Sequence, residues 1–171
     1  MNSSEEEQLI QLLDKCTPGN LPQQVFEAVG RVSVYPAVEI IPVRITQRGV
    51  EVLLLRRPAD DIAWPSMMHT PGTIHRPTDE NVEMGIVRVL GEELHNTTLI
   101  GEPKFIRTSM YNHKRGRGLG LGYIIEVSDS IDGDFYSMSA LPDNVIREQV
   151  PTIKYIAGVY NEMLLHGENS A

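Results

Sequence analysis

The sequence predicts an α/β fold, and three observations indicate it. Residues 38–46 and 50–57 are rich in β-branched and leucine side chains. They flank a short loop with a glycine, which is typical of a hairpin. An amphipathic helix follows residue 81, and a second helical pattern spans 150–165. Strands combined with amphipathic helices in one chain predict a sheet packed against helices.

Two helices are predicted ahead of this domain. Ser3 and Ser4 stand at capping-box spacing from two glutamates, and an apolar helical stripe follows. After a turn, a second short helix is expected to end near residue 30. We therefore divide the chain into an N-terminal helical extension, 1–30, and a larger domain, 31–171. The extension either packs on that domain or contributes to a homodimer.

The stretch with the clearest chemical pattern is 71–95, a glycine turn and a polar loop followed by one helix. Asn81 is a good N-cap residue for this helix. Its apolar residues share one broad face: Val82, Ile86, Val89, Leu90 and Leu94. Glu93 falls inside that face, and Glu92 lies on its flank, one turn after Arg88.

These adjacent glutamates need a partner. A carboxylate on a packing face is costly unless a cation or hydrogen-bond donors meet it. Two neighbouring carboxylates also repel each other, so a divalent metal is a natural partner for Glu92 and Glu93. A salt bridge to Arg88, or to another basic residue, would satisfy the same groups without any chemistry. The spacing leaves both interpretations open.

The stretch resembles the Nudix box, in which a glycine, five residues and a glutamate precede seven residues and Arg-Glu-apolar-x-Glu-Glu-x-Gly-apolar. The residues at matching offsets are Glu80, Arg88, Leu90, Glu92 and Glu93. Pro71-Gly72 stands where the family usually has Pro-Gly-Gly. The resemblance covers about residues 38–165. It implies a Nudix-type α/β/α sandwich with a mixed sheet, to which this chain adds its N-terminal helices.

Several positions depart from the family pattern. Thr73 replaces the second glycine, and the loop to Glu80 is one residue longer. Val89 replaces the glutamate after the arginine, which in the family is a metal ligand or candidate base. His95 replaces the late glycine.

The resemblance implies hydrolysis of a pyrophosphate linkage in a nucleoside diphosphate derivative, with Mg²⁺ or Mn²⁺ as the cofactor. It implies metal ligation by Glu92, Glu93 and the carbonyl of Gly72. Arg88 would orient the glutamates, with support from Glu80. The implied catalytic residues are thus Glu92, Glu93 and Arg88.

A missing carboxylate at Val89 has two consequences. Valine cannot deprotonate water, so another acid would have to serve as the general base. The later acidic residues that could do so are Asp129, Asp132 and Asp134. Together with Thr73 and His95, Val89 also favours an alternative: a Nudix-fold protein that binds a nucleotide or a partner without hydrolysis.

Candidate substrate contacts lie outside the box. Arg57 ends the second strand, and Lys114 and Arg115 belong to a basic cluster in a predicted loop, 111–117. Glycines then recur with period two, which places them on one face of a strand. They indicate close packing against a helix or another chain, or close approach of a ligand. Trp64 is expected in the core.

Composition limits the classes of partner. The 171-residue chain has a net charge of −8, which argues against long nucleic acids. A small phosphorylated molecule held through a metal and local basic residues remains compatible with that charge. One cysteine cannot form an internal disulfide, and no signal-like or membrane-spanning apolar run occurs. The sequence therefore predicts a cytoplasmic protein without a membrane partner.

Overall fold

The structure, a computed structural model, describes residues 1–17, 21–113, 116–130 and 132–165. Within those residues the helices are α1 (Ser3–Leu13), α2 (Gln23–Val32), α3 (Val82–Glu93) and α4 (Val150–Leu165). The strands are β1 (Val34–Thr46), β2 (Gly49–Arg56), β3 (Met68–His69), β4 (Gly72–Ile74), β5 (Thr97–His113), β6 (Gly116–Ser130) and β7 (Gly133–Ser137).

All seven strands form one mixed sheet. Its main order is β3-β2-β1-β6-β5, with β4 paired to β1 and β7 paired to β2. The pairing of β1 with β6 is parallel, and the other strand pairs are antiparallel. Helix α3 packs on one face of the sheet and α4 on the other. The α/β/α sandwich with a mixed sheet is therefore confirmed.

Alternation along β1 separates the two cores, because successive side chains of a strand point to opposite faces. Val38 and Ile40 join the α3 core, whereas Ile41 and Val43 join the α4 core. The predicted apolar face of α3 is confirmed, with Val89 only 1% exposed. Among the described residues, no helix is long and apolar enough to cross a membrane.

Element boundaries differ from the predictions in two places. Helix α1 is capped by Asn2, whose side chain and Glu5 form the capping box, so the predicted cap at Ser3 or Ser4 is wrong. The predicted loop 111–117 is also too long, because β5 and β6 keep pairing up to His113 and Gly116. Helix α4 has the predicted bounds. A turn is predicted at 17–20 and the end of the last helix at Gly167; residues 18–20 and Gly167 lie outside the described residues.

The N-terminal extension packs on the sheet through α2. Gly116 of β6 lies so close to the backbone of Gly30 in α2 that a side chain at position 116 would overlap it. Helix α1 has no buried residue, and its apolar stripe is exposed: Leu9, Ile10, Leu12 and Leu13. The domain boundary after residue 30 and the homodimer stay predictions.

The glycine repeat in β6 serves packing. Gly118 and Gly120 lie under the ring of Tyr111, and a Cβ at Gly122 would overlap Ile156 of α4. Because Gly116 meets α2 in the same way, this face of β6 accommodates two helices and one aromatic ring. The prediction of close packing at these glycines is confirmed.

We expect Gly116→Ala to lower the free energy of unfolding by about 2 kcal/mol, because the new Cβ would be strained and would overlap α2. Gly116 has a φ of +126°, which L side chains rarely adopt. Gly91→Ala is the matched control, since nothing lies within 4 Å of a Cβ there. It should stabilise α3 by roughly 0.5–1 kcal/mol. Urea unfolding measures both; equal effects would contradict the proposed packing of α2.

Candidate functional site

Arg88 and Asp79 fasten the loop before α3 to the helix. The guanidinium donates to both carboxylate oxygens of Asp79, at 2.6 and 2.8 Å, and to the carbonyl of Ile74 at 3.1 Å. The backbone N–H of Arg76 donates to the same carboxylate at 2.8 Å. These donors hold the pKa of Asp79 well below its usual range. His75 Nδ1 lies 3.3 Å from Asp79, so several groups of this loop converge on one buried carboxylate.

This arrangement corrects the expected role of Glu80, which is exposed and makes no bond to Arg88. Counted from Thr73, at the position of the second family glycine, the acid after five residues is Asp79. The extra residue thus lies between Asp79 and Arg88. Among the described residues, neither Glu92 nor Glu93 forms an ion pair with Arg88. The salt bridge offered as an alternative explanation of the glutamates is therefore wrong for Arg88.

Gly72 and Glu93 bring β4 and α3 together. The N–H of Gly72 donates to Glu93 Oε1 over 3.4 Å. Pro71 and His75, on either side of β4, form backbone hydrogen bonds with β1, so the peptide groups of Gly72 point away from β1. A Cβ at position 72 would lie 2.9 Å from the carbonyl oxygen of Val38, which explains the glycine. Because the N–H and C=O groups of one residue in a strand point to the same side, the Gly72 carbonyl also lies on the side of Glu93.

Glu93 is a half-buried carboxyl without a basic partner in the part of the chain that the structure describes. Burial raises its pKa to about 7, against the opposing effects of the Gly72 N–H and the charge of Arg57, and the charge of Glu92 adds slightly to the rise. His69 Nδ1 lies 2.8 Å from the carbonyl of Thr70 and must donate to it. Burial lowers the pKa of His69 to about 4, so the ring is neutral and Nε2 is an acceptor. Nε2 stands 3.9 Å from Glu93 Oε2, so two acceptors face each other there.

The site at Gly72 and Glu93 offers few protein ligands for a divalent ion. Glu92 is exposed, and Val89 lies in the α3 core at the position of the third family carboxylate. Within the described ranges, no three His, Cys, Asp or Glu side chains gather closely enough to hold a metal. Glu92, Glu93 and the Gly72 carbonyl offer two carboxylates and one carbonyl. Such a set fits Mg²⁺, which commonly takes one or two carboxylates and keeps waters or substrate phosphates for the rest.

A cavity of about 110 Å³ opens beside Gly72 on the α4 face of the sheet. Glu39 of β1 and Tyr111 of β5 line it, together with Trp64 and Arg57. Glu39 is 8% exposed, and burial raises its pKa to about 7. Trp64 is also 8% exposed and packs with Ile146, so its predicted place in the core is confirmed although it borders the cavity.

The predicted substrate contacts have different outcomes. Arg57 faces this cavity and binds Asp61 through its guanidinium at 2.6 and 2.8 Å. Lys114 and Arg115 lie outside the described residues. A second cavity lies between the N-terminal helices and residues 72–77. The three aspartates proposed as substitute bases line neither cavity. Asp132 instead accepts hydrogen bonds from Asn96 and Thr97 near the end of α3.

Sequence reasoning missed Asp79, Glu39, His69 and Tyr111. Asp79 had a signal, the five-residue spacing counted from Thr73. Glu39 had one as well, since it is the only acid in the predicted strand 38–46 and is flanked by apolar residues. His69 and Tyr111 had none, because only the strand pairings bring them to Gly72 and Glu39.

Comparisons by sequence and by structure give different results. No family model and no curated protein matches the sequence. Solved structures do match, and those described below share the Nudix fold. The NUDIX domain of Shewanella oneidensis NrtR in complex with ADP ribose is 14% identical, with a TM-score of 0.56 over 94% of this chain and 99% of that one.

Two further structures agree with that fold. NrtR of Shewanella oneidensis in complex with a 27mer DNA is 15% identical, with a TM-score of 0.59 over 74% of this chain and 62% of that one. The Ap4A hydrolase of C. elegans is 14% identical, with a TM-score of 0.52 over 77% of this chain and 99% of that one. The chain therefore has the Nudix fold.

Proposed function

We propose that this Nudix-fold chain hydrolyses a pyrophosphate linkage in a nucleoside diphosphate derivative and needs a divalent metal to do so. One observation carries the proposal: the carboxyl of Glu93 lies at the N–H of Gly72 and, within the described residues, forms no ion pair with a lysine or arginine, although the charge of Arg57 acts on it from a distance. Burying such a group is costly unless a cation binds there. The site thus has the charge that a magnesium ion would require.

The residues that would hold Mg²⁺ or Mn²⁺ are Glu92, Glu93 and the carbonyl of Gly72. When bound, the ion would neutralise diphosphate oxygens and make a bound water more acidic. Its remaining coordination positions would be left for waters and the substrate, since the chain offers few protein ligands here.

The chain's own residues supply positioning and positive charge. The Arg88–Asp79 pair fixes residues 73–79 against α3, which keeps Gly72 opposite Glu93. Arg57 brings a guanidinium to the cavity beside Gly72, where it can attract the diphosphate. The bond to Asp61 holds Arg57 in that orientation. Positioning of this kind supplies much of the catalysis in phosphoryl transfer.

Two neighbours support the substrate class. One is bound to ADP ribose, and another is named as an Ap4A hydrolase. Both compounds are nucleotides with phosphoanhydride linkages, so we propose a small nucleotide-like diphosphate for this chain. The DNA-bound neighbour is matched over only 62% of its length, and this chain carries a net charge of −8. We therefore propose no long nucleic acid as a partner.

A second candidate is nucleotide binding without hydrolysis. Its specific support is Val89, which is 1% exposed in the α3 core and places an apolar side chain at the family's carboxylate position. Loss of that carboxylate would weaken both the metal site and the supply of a base.

A panel of nucleoside diphosphate derivatives, including ADP ribose and Ap4A, separates the candidates. We expect phosphate or nucleotide products with Mg²⁺ and none with EDTA, because the ion is needed to neutralise the diphosphate. Product release is measured by chromatography, and binding by calorimetry. Binding of the panel without metal and without product would instead support the second candidate.

A further inference from the structure

We infer that Glu39 and Tyr111 form a recognition site for the nucleoside end of the ligand, on the α4 face of the sheet beside Gly72. The inference rests on the proposed function, since it places the diphosphate at Gly72. The ligand group we assign to it carries a hydrogen-bond donor and an acceptor, as a ribose hydroxyl or the N–H/C=O edge of a base does.

Glu39 is a buried carboxyl without a partner. Only 8% of it is exposed, and it lines the cavity. Within the described residues no hydrogen bond or ion pair reaches its side chain. Its backbone, by contrast, lies between two paired strands, opposite Gly72 of β4 and Gly122 of β6. Its oxygens open to the cavity, because the fully buried atoms without a partner among the described residues are Thr70 Oγ1 and His75 Nε2. A carboxyl in so confined a place is poorly solvated, which costs free energy. A bound donor would remove that cost, which points to a ligand.

The glycine repeat brings Tyr111 to the same cavity as Glu39. Its ring crosses Gly118 and Gly120 of β6, where any Cβ would overlap or crowd it. Its hydroxyl lies over Gly118, whose neighbour on β1 is Tyr35, whereas Glu39 pairs with Gly122, so Tyr111 and Glu39 face the cavity from different rows of the sheet. The negative charge of Glu39 and burial both raise the pKa of Tyr111. The hydroxyl therefore keeps its proton and can donate to a ligand.

The walls of the cavity suit the nucleoside part of a nucleotide. Trp64 and His113 border it, with their rings 5.1 Å apart in an edge-to-face arrangement. A dry cavity of about 150 Å³ can take up benzene. This one, of about 110 Å³, is open and can accept part of a sugar or base. Arg57 at the same cavity supplies the positive charge that the adjoining phosphates need.

The competing explanation is that Glu39 belongs to a metal cluster. Glu39 and Glu93 lie on different sides of Gly72, however, since Glu39 pairs across from it in the β1·β4 ladder while Glu93 meets its N–H. Glu39 is therefore not placed to join Glu93 in holding one ion. A hydrogen bond to the ligand is the remaining use for the carboxyl.

The test is binding of nucleoside monophosphates, which have no diphosphate bond and so cannot be hydrolysed by the proposed activity. Trp64 is the only tryptophan of the chain and borders the cavity, so its fluorescence reports occupancy. We expect Glu39→Gln to weaken binding at least about tenfold, as for a hydrogen bond to a charged group. Tyr111→Phe keeps the ring over the glycines and should weaken binding by about threefold to tenfold.

Thermal unfolding distinguishes a binding role of Glu39 from a structural one, because only a structural role predicts that Glu39→Gln unfolds at a lower temperature. Glu39→Gln should unfold at the same or a higher temperature than the wild type, because it removes an unpaired buried charge. Glu102→Gln, the same change at an exposed glutamate of β5, is the control and should change neither property.

Ribose and 2′-deoxyribose monophosphates of all four bases identify the group bound. Removing the 2′-hydroxyl, or exchanging the base, should weaken binding to the wild type by a larger factor than it weakens binding to Glu39→Gln. If neither change does so, if Glu39→Gln binds like the wild type, or if no monophosphate binds, the inference is overturned. Hydrolysis in the diphosphate panel is independent of these results, so the proposed function can fail while the recognition site stands, and the reverse.

Discussion

Glu93→Gln is expected to lower diphosphate hydrolysis by about a hundredfold or more, since it removes the half-buried carboxylate that we propose as a metal ligand. The substitution keeps the shape of the side chain. Its carbonyl can still accept from the N–H of Gly72, and its amide can donate to Nε2 of His69, 3.9 Å from Glu93 Oε2 in the wild type. The folded structure should therefore survive, and the loss can be assigned to the missing charge. Initial rates across a range of Mg²⁺ concentrations measure the effect.

Two matched variants make that result specific. Glu92→Gln removes an exposed carboxylate that would share the same ion, so a smaller loss of about tenfold is expected. Glu102→Gln changes an exposed glutamate of β5 and should leave the rate unaltered. Full activity of Glu93→Gln, with its unfolding temperature unchanged, would refute the assignment of Glu93 as a metal ligand.

Asp79→Asn is expected to lower the free energy of unfolding by about 3 kcal/mol, because it leaves Arg88 without its counter-charge. The side chains of Asp79 and Arg88 are only 2% and 12% exposed. The carboxylate also accepts from the N–H of Arg76, so an amide there cannot replace all of its bonds. Chemical denaturation followed by circular dichroism measures the difference.

Glu80→Gln is the control for Asp79, since Glu80 is exposed and makes no bond to Arg88. A change within about 0.5 kcal/mol is expected there. The pH dependence adds a second check. Because the pKa of Asp79 is lowered by folding, its contribution is complete above about pH 4 and is lost as the pH falls further. A larger effect at Glu80 than at Asp79 would contradict the geometry of this loop.

The scaffold of the site could be predicted because it depends on local patterns. The apolar face of α3 follows from helical periodicity, and the place of Glu93 within that face follows with it. The bounds of α4 could be predicted from the same periodicity. Gly72 was predicted through the family motif. A glycine is needed there because any Cβ would crowd the carbonyl oxygen of Val38.

What could not be predicted depends on contacts between distant residues. Tyr111 meets Gly118 and Gly120 because β5 and β6 pair further than their sequences suggested. Glu39 joins that cavity through β1, far away in the chain. The choice between Asp79 and Glu80 depended on which carboxylate the turn after Arg76 directs inwards, and motif spacing counted from Arg88 pointed to the wrong one.

The most direct measurement of the central claim is a titration of the protein with Mn²⁺, followed by electron paramagnetic resonance of the free ion. If Gly72 and Glu93 hold a divalent ion, the wild type should bind Mn²⁺ at one site, Glu93→Gln should lose that site, and Glu102→Gln should keep it. A wild type that binds no Mn²⁺, with or without a diphosphate, would contradict the claim, and so would a Glu93→Gln variant that binds it equally well.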